Sequence, residues 1–95
     1  MERTKVSDMI SDAVIIDIRN SYYYSQGHIK GAINIPYYVL LSNYSHYLDK
    51  YNTYYLYCDY GEQSKEIASR LVSFGYNVYS IDGGYLEYKK KNANL

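Results

Sequence analysis

Short apolar runs rich in β-branched and aromatic residues punctuate the chain, and polar or glycine-containing segments bound them. Val14-Ile15-Ile16-Asp17-Ile18 reads as a buried strand that ends in the polar Arg19-Asn20-Ser21. Ala32-Ile33-Asn34-Ile35 is a second strand, stopped by Pro36, and Tyr54-Tyr55-Leu56-Tyr57 is a third, running up to Cys58. Asn77-Val78-Tyr79-Ser80-Ile81 is a fourth. Between them the period changes. From Ser64 to Phe74, Ile67, Ala68, Leu71 and Val72 form one stripe, and Lys65, Glu66 and Arg70 lie elsewhere on the wheel, so the segment predicts a helix with Gly75 as its stop. Residues 37 to 51 place Leu40, Leu41, Tyr44, Tyr47, Leu48 and Tyr51 at three-and-four spacing, which predicts helical segments that Asn43 and Ser45 weaken. Asp82-Gly83-Gly84 reads as a turn and Tyr85 to Lys91 as a last helix. Strands alternate with helices, so the expected fold is α/β, a central parallel sheet flanked by helices on both faces. With no internal repeat and no composition break, residues 1–95 are expected to form a single domain.

Composition narrows the function. Ten basic and ten acidic residues cancel, and no basic stripe marks a nucleic-acid surface. Lys89-Lys90-Lys91 reads as a solvated helix end, where cations suit the dipole. No apolar stretch reaches membrane-spanning length, and Met1 to Lys5 lacks the apolar core of a signal peptide, so a cytoplasmic protein is expected. A single cysteine excludes an internal disulfide and any Cys-x-x-Cys motif; His28 and His46 are not spaced as a metal pair, and no metal site is expected. The sixteen tyrosines read as a compositional bias, each able to fill a core edge with its hydroxyl wet.

Cys58 is the residue with chemistry. It ends an apolar strand and opens a six-residue loop, Asp59-Tyr60-Gly61-Glu62-Gln63-Ser64, that leads into the best helix. In open α/β sheets ligands bind outside the carboxyl ends of strands, and backbone N–H groups at a helix N-terminus favour negative charge there. Such a place stabilises a thiolate, and Gly61 allows the tight turn that aims several N–H groups at the sulfur. A small buried hydrophobe is the alternative reading of Cys58. Its position, where packing demands no thiol, speaks for the nucleophile.

The order of motifs resembles the rhodanese signature. Asp17-Ile18-Arg19, Tyr24, Gly27-His28-Ile29, Gly31-Ala32 and Asn34-Ile35-Pro36 are followed by strand, Cys58, Gly61, Ser64, helix, and a strand ending in Gly83-Gly84. These elements span residues 14 to 88. The resemblance implies a compact rhodanese-like fold and a sulfurtransferase that needs no cofactor. Its Cys58 takes a sulfane sulfur from a small donor such as thiosulfate, a polysulfide or a persulfide, and passes it to a thiol or cyanide. It further implies that residues 59 to 63 (Asp59, Tyr60, Gly61, Glu62, Gln63) form the cradle and that Ser64 opens the helix. Asp17 and Arg19 match the Asp-x-Arg pair near the loop. Arg19 either helps to hold an anionic substrate or, as favoured here, fixes the loop after the first strand. Asp17 accepts hydrogen bonds rather than acting as a base, His28 ties a loop, Gly83-Gly84 marks a turn, and Tyr88 packs where many relatives carry Trp.

Three features depart from the pattern. Gln63 stands where many such loops carry Arg. Asp59 and Glu62 make the loop acidic, with no Lys or Arg within it. At an effective dielectric of about 20, one carboxylate roughly 6 to 8 Å from an incoming anion costs about 2 to 3 kcal/mol before salt screening. The segment before Val14 is short, so an abbreviated first strand is expected. A phosphatase or arsenate reductase of this fold needs Arg six positions after the cysteine, where this chain has Ser64. A non-enzymatic docking module would lack the cysteine, whereas a carrier fed by a protein persulfide donor fits the acidic loop.

Overall fold

The computed structural model describes residues 3–4 and 13–93. Five strands form one all-parallel sheet: β1 (Arg3–Thr4), β2 (Val14–Asp17), β3 (Ile33–Asn34), β4 (Thr53–Tyr57) and β5 (Asn77–Ile81), in the order β1-β5-β4-β2-β3. Helices α1 (Ser21–Gln26), α2 (Tyr37–Tyr47), α3 (Glu62–Ser73) and α4 (Gly84–Ala93) connect or follow them. β1 lies at the edge of the sheet and registers Arg3 with Ser80 and Thr4 with Ile81; the rest of the segment for which an abbreviated first strand is expected lies outside the described residues, apart from Ala13. The reading of Met1 to Lys5 as free of a signal peptide falls, apart from Arg3 and Thr4, outside the described residues.

The pleat sends alternate residues to opposite faces, and two cores result. On one face Ile16, Ile18, Tyr54, Leu56, Cys58 and Val78 meet Leu40 of α2 and Ile67, Ala68 and Leu71 of α3. On the other, Tyr55, Tyr57 and Ile81 meet Ile29, Ala32, Tyr24, Tyr85 and Tyr88. Tyrosine is therefore core material here and not only an edge filler. Tyr57 has no exposed surface, and its hydroxyl accepts the Ile29 N–H at 3.0 Å. Tyr54 Oη accepts the Asp49 N–H at 2.7 Å in the same manner. Burial first, then the hydrogen bond to Asp17, raises the Tyr57 pKa above the ordinary phenol value and keeps this hydroxyl neutral.

Where the structure differs from the sequence expectation, the causes are local. Helix α3 begins at Glu62, two residues before the expected Ser64, because Gly61 adopts a left-handed conformation (φ 101°) and starts the helix itself. Only Cys58, Asp59, Tyr60 and Gly61 separate strand from helix, so the loop after the cysteine has three residues where six are expected. Helix α1 was not expected at all. None of its six residues is buried, and the Asn20 side chain starts it by accepting the Tyr23 N–H at 3.2 Å. α2 bends at Asn43 (φ −135°, ψ 30°), whose side chain bonds the Val39 carbonyl at 2.9 Å. Among the described residues no helix is long and apolar enough to cross a membrane.

Candidate active site

The chain order fixes where a site forms. From β2 the chain moves outward to β3 on one side, then crosses back to β4 and β5 on the other. The crevice between the carboxyl ends of β2 and β4 is the switch point of the sheet, the place where open α/β folds bind ligands. β2 delivers Arg19 to it and β4 delivers Cys58.

Cys58 is 6% exposed, with its sulfur over the start of α3. The Gly61 N–H donates to Sγ at 3.1 Å and the Ser64 N–H at 3.5 Å, and the Ser64 hydroxyl lies 3.6 Å away. The cradle is thus narrower than residues 59 to 63. Its donors are Gly61, from within the loop, and Ser64, from the first turn of the helix. Ser64 is fully buried; its Oγ contacts Gly61 O at 3.2 Å and Ser80 Oγ at 2.7 Å. Two N–H dipoles converge on the sulfur in a protected place, and the Ser64 hydroxyl accepts from the thiol; converging N–H groups of this kind form anion-binding concavities.

Arg19 does not face the cavity as a free cation. It is 8% exposed, and Asp17, with no exposed surface, holds it from Oδ1 to Nε at 3.0 Å and from Oδ2 to Nη2 at 2.7 Å. Nη2 also donates to the Gly27 carbonyl at 2.7 Å, Nη1 reaches Asp59 at 3.3 Å, and the guanidinium lies 4.2 Å from the centre of the Tyr85 ring. Burial alone would lower the Arg19 pKa. The hydrogen bond and charge of Asp17, with the charge of Asp59, outweigh it and raise the pKa above the ordinary value. The loop is therefore not without a cation: β2 brings one to Asp59, and the two loop carboxylates are not equivalent. Glu62 has no partner for its carboxylate among the described residues. Truncating Asp17 would strand a buried guanidinium. Asp17→Ala should cost about 3 to 5 kcal/mol of stability, read as a lowered urea midpoint at unchanged slope.

A cavity of about 490 Å³ opens above the sulfur, lined by Arg19, Asn20, Tyr23, Cys58, Asp59, Tyr60, Glu62 and Gln63. It brings together six of the eight site residues expected from sequence; Gly61 and Ser64 lie behind the sulfur. A larger groove on the other side of Tyr60 and Glu62 does not contain Cys58. Sequence reasoning missed Asn20 and Tyr23, which follow Arg19 at the end of β2, beside β4. It also missed the role of α4. The N–H groups of Tyr85 and Leu86 bond the carbonyls of Cys58 (2.8 Å) and Asp59 (3.0 Å), and clamp the loop from the second face. His28 is a local tie, its Nδ1 2.9 Å from the Tyr24 carbonyl and its ring stacked on Tyr24.

The Rhodanese-like domain family matches residues 2–91. The chain belongs to the rhodanese-like domain family. A relative named thiosulfate sulfurtransferase GlpE, from Coxiella burnetii, is 35% identical to this rhodanese-like chain over 79 residues, covering 82% of the chain and 73% of the relative. The tRNA uridine(34) hydroxylase of Hamiltonella defensa is 34% identical, covering 96% of the chain but 29% of the relative. The tRNA sulfurtransferase of Thermoplasma acidophilum is 41% identical over 72% of the chain and 13% of the relative, so the chain spans only a minor part of these two larger proteins. Among solved structures, SSP1007 of Staphylococcus saprophyticus superposes with a TM-score of 0.83 at 28% identity over 93% of each chain. Relatives named sulfurtransferase support a rhodanese-type transferase at the level of the family.

Proposed function

We propose that this rhodanese-like chain is a sulfurtransferase that carries a sulfane sulfur on Cys58 as a persulfide. One observation carries the reading: Sγ sits at the carboxyl end of β4, at the base of an open cavity, with two backbone N–H groups aimed at it. The Cys58 thiolate attacks the outer sulfur of the donor. A new S–S bond forms at Sγ, the donor's bond to that sulfur breaks, and its electron pair leaves with the remainder of the donor. The Gly61 and Ser64 N–H groups stabilise the charge of the resulting persulfide. An acceptor thiolate, or cyanide, then attacks the outer sulfur, and its removal regenerates the Cys58 thiolate. No cofactor enters the cycle. A lone cysteine working as a thiolate suits a reducing compartment, and we place the protein in the cytoplasm. Intact mass of the purified protein before and after thiol reduction tests the reading; a reducible adduct of one sulfur atom is expected.

Thiosulfate is a poor donor in this reading, whatever the named activity of its relatives. A dianion entering the cavity meets Glu62, without a compensating partner among the described residues, neutral Gln63, and an Arg19 engaged by Asp17, Gly27 and Asp59. One carboxylate at this range is worth about tenfold after partial screening. Thiosulfate kcat/KM is expected about tenfold or more below that of a persulfide donor. Glu62→Gln should raise it several-fold at low ionic strength, and added salt should narrow the gap. Equal thiosulfate kinetics for parent and variant at low salt would sink the electrostatic argument and leave sulfur transfer standing.

A further inference from the structure

The cavity over Cys58 is shaped and charged for something other than a small anion. Its volume of about 490 Å³ leaves much room beyond a single transferred sulfur. Its mouth is flanked by two exposed aromatic side chains, Tyr23 (51% exposed) and Tyr60 (72%), and Tyr22 packs edge-on against Tyr23 at 5.4 Å. The other rim groups are neutral amides, Asn20 and Gln63, and carboxylates, Asp59 and Glu62. The one cation in the lining, Arg19, is committed to Asp17, Gly27 and Asp59 and covered by Tyr85. Lys65 lines the neighbouring groove instead. A substrate therefore meets two exposed tyrosine rings and, among the described residues, a carboxylate without a partner and no uncommitted cation. Aromatic faces and carboxylates attract the same partner, an ammonium or guanidinium group.

We infer that the donor at Cys58 is an organic persulfide carrying a cationic group close to its sulfur, held between Glu62 and the faces of Tyr23 and Tyr60. The inference rests on the sulfurtransferase reading and names its substrate class. The persulfide end enters toward Sγ, and the cation remains at the mouth. In the transfer, Sγ bonds to the outer sulfur and the donor S–S bond breaks. The electron pair leaves on the inner sulfur as an aminothiolate, which takes up the proton of the persulfide, so no outside oxidant or reductant is needed. Shared cation-and-persulfide chemistry is offered both by small aminothiols and by a cysteine persulfide beside lysine or arginine in a polypeptide.

The test is single-turnover loading of Cys58, read by intact mass, with cysteamine persulfide and 2-mercaptoethanol persulfide. These donors differ by an ammonium against a hydroxyl, and each rate is normalised to that donor's reaction with a small thiol in solution. The expected normalised preference is about five- to tenfold for the cysteamine donor at low ionic strength, the combined worth of an exposed ion pair and a cation–π contact. Glu62→Gln should bring the ratio toward one, and Tyr60→Ala should lower it. Short cysteine-persulfide peptides flanked by lysine or by glutamate separate the sources. A further gain for the lysine peptide over cysteamine identifies a polypeptide donor, and no gain identifies a small aminothiol. A normalised ratio near one in the parent, or one that Glu62→Gln leaves unchanged, overturns the inference while Cys58 still loads. Failure of every donor to load Cys58 overturns the sulfurtransferase reading itself.

Discussion

Cys58→Ser should abolish sulfur transfer, a loss of at least about a thousandfold in kcat/KM, because a neutral hydroxyl neither attacks a sulfane sulfur at neutral pH nor carries it. The chain has no second cysteine to take over the covalent step. The fold should survive, since the serine oxygen can accept the same Gly61 and Ser64 N–H groups that now point at Sγ. Circular dichroism and a urea midpoint close to the parent's check the second half, and steady-state kinetics with a persulfide donor check the first. A soluble, folded variant that retains substantial activity would mean that Cys58 is not the sulfur carrier. A variant that fails to load sulfur while the parent does ties the reaction to this one atom.

Much of the architecture was legible because the central strands, β4 above all, are largely buried and so read as apolar runs. β5 has the bounds its residues predict, and β4 differs only by Thr53. The stripe of Ile67, Ala68 and Leu71 identifies α3 because those side chains are buried against the sheet. What the sequence hid depends on tertiary placement. α1 carries no apolar period and buries none of its side chains, so only Asn20 hints at it. The start of α3 moved because the conformation of Gly61, and not the first apolar residue, sets a helix N-terminus. The unequal loop carboxylates were invisible because Arg19 is 40 residues from Asp59 in the chain, and sheet order alone makes them neighbours. Tyr57 and Tyr55 gave no sign that they were core, since a tyrosine is buried only where a partner waits for its hydroxyl or a neighbouring ring covers it. Gly83-Gly84 was read as a turn, which is correct for Gly83 and incomplete for Gly84.

Gly84→Ala should cost more activity than any other substitution proposed outside the cysteine itself. Gly84 has φ 62°, where a β-carbon is strained, and it lies against the backbone of the active loop. An added Cβ would overlap the Cys58 carbonyl oxygen and come within 2.7 Å of the Asp59 carbonyl oxygen, and neither belongs to a side chain that can swing aside. Relief requires α4 to back away, which stretches the bonds from the Tyr85 and Leu86 N–H groups to those same two carbonyls. The left-handed strain is worth about 1 to 2 kcal/mol. Two weakened backbone hydrogen bonds bring the expected loss to about 3 kcal/mol or more, against a total of about 5 to 15 for a domain of this kind. Activity should fall further than stability, because a shift of about 1 Å in the residue that bears the nucleophile costs about a hundredfold. Gly31→Ala is the control: Gly31 has φ 88° but nothing within 4 Å of an added Cβ, so it carries the strain without the overlap. If the two variants unfold at the same urea concentration and transfer sulfur at the same rate, the α4 clamp does not position Cys58. If Gly84→Ala alone loses activity at temperatures where both remain folded, the N-terminus of α4 is part of what holds the loop in its working shape.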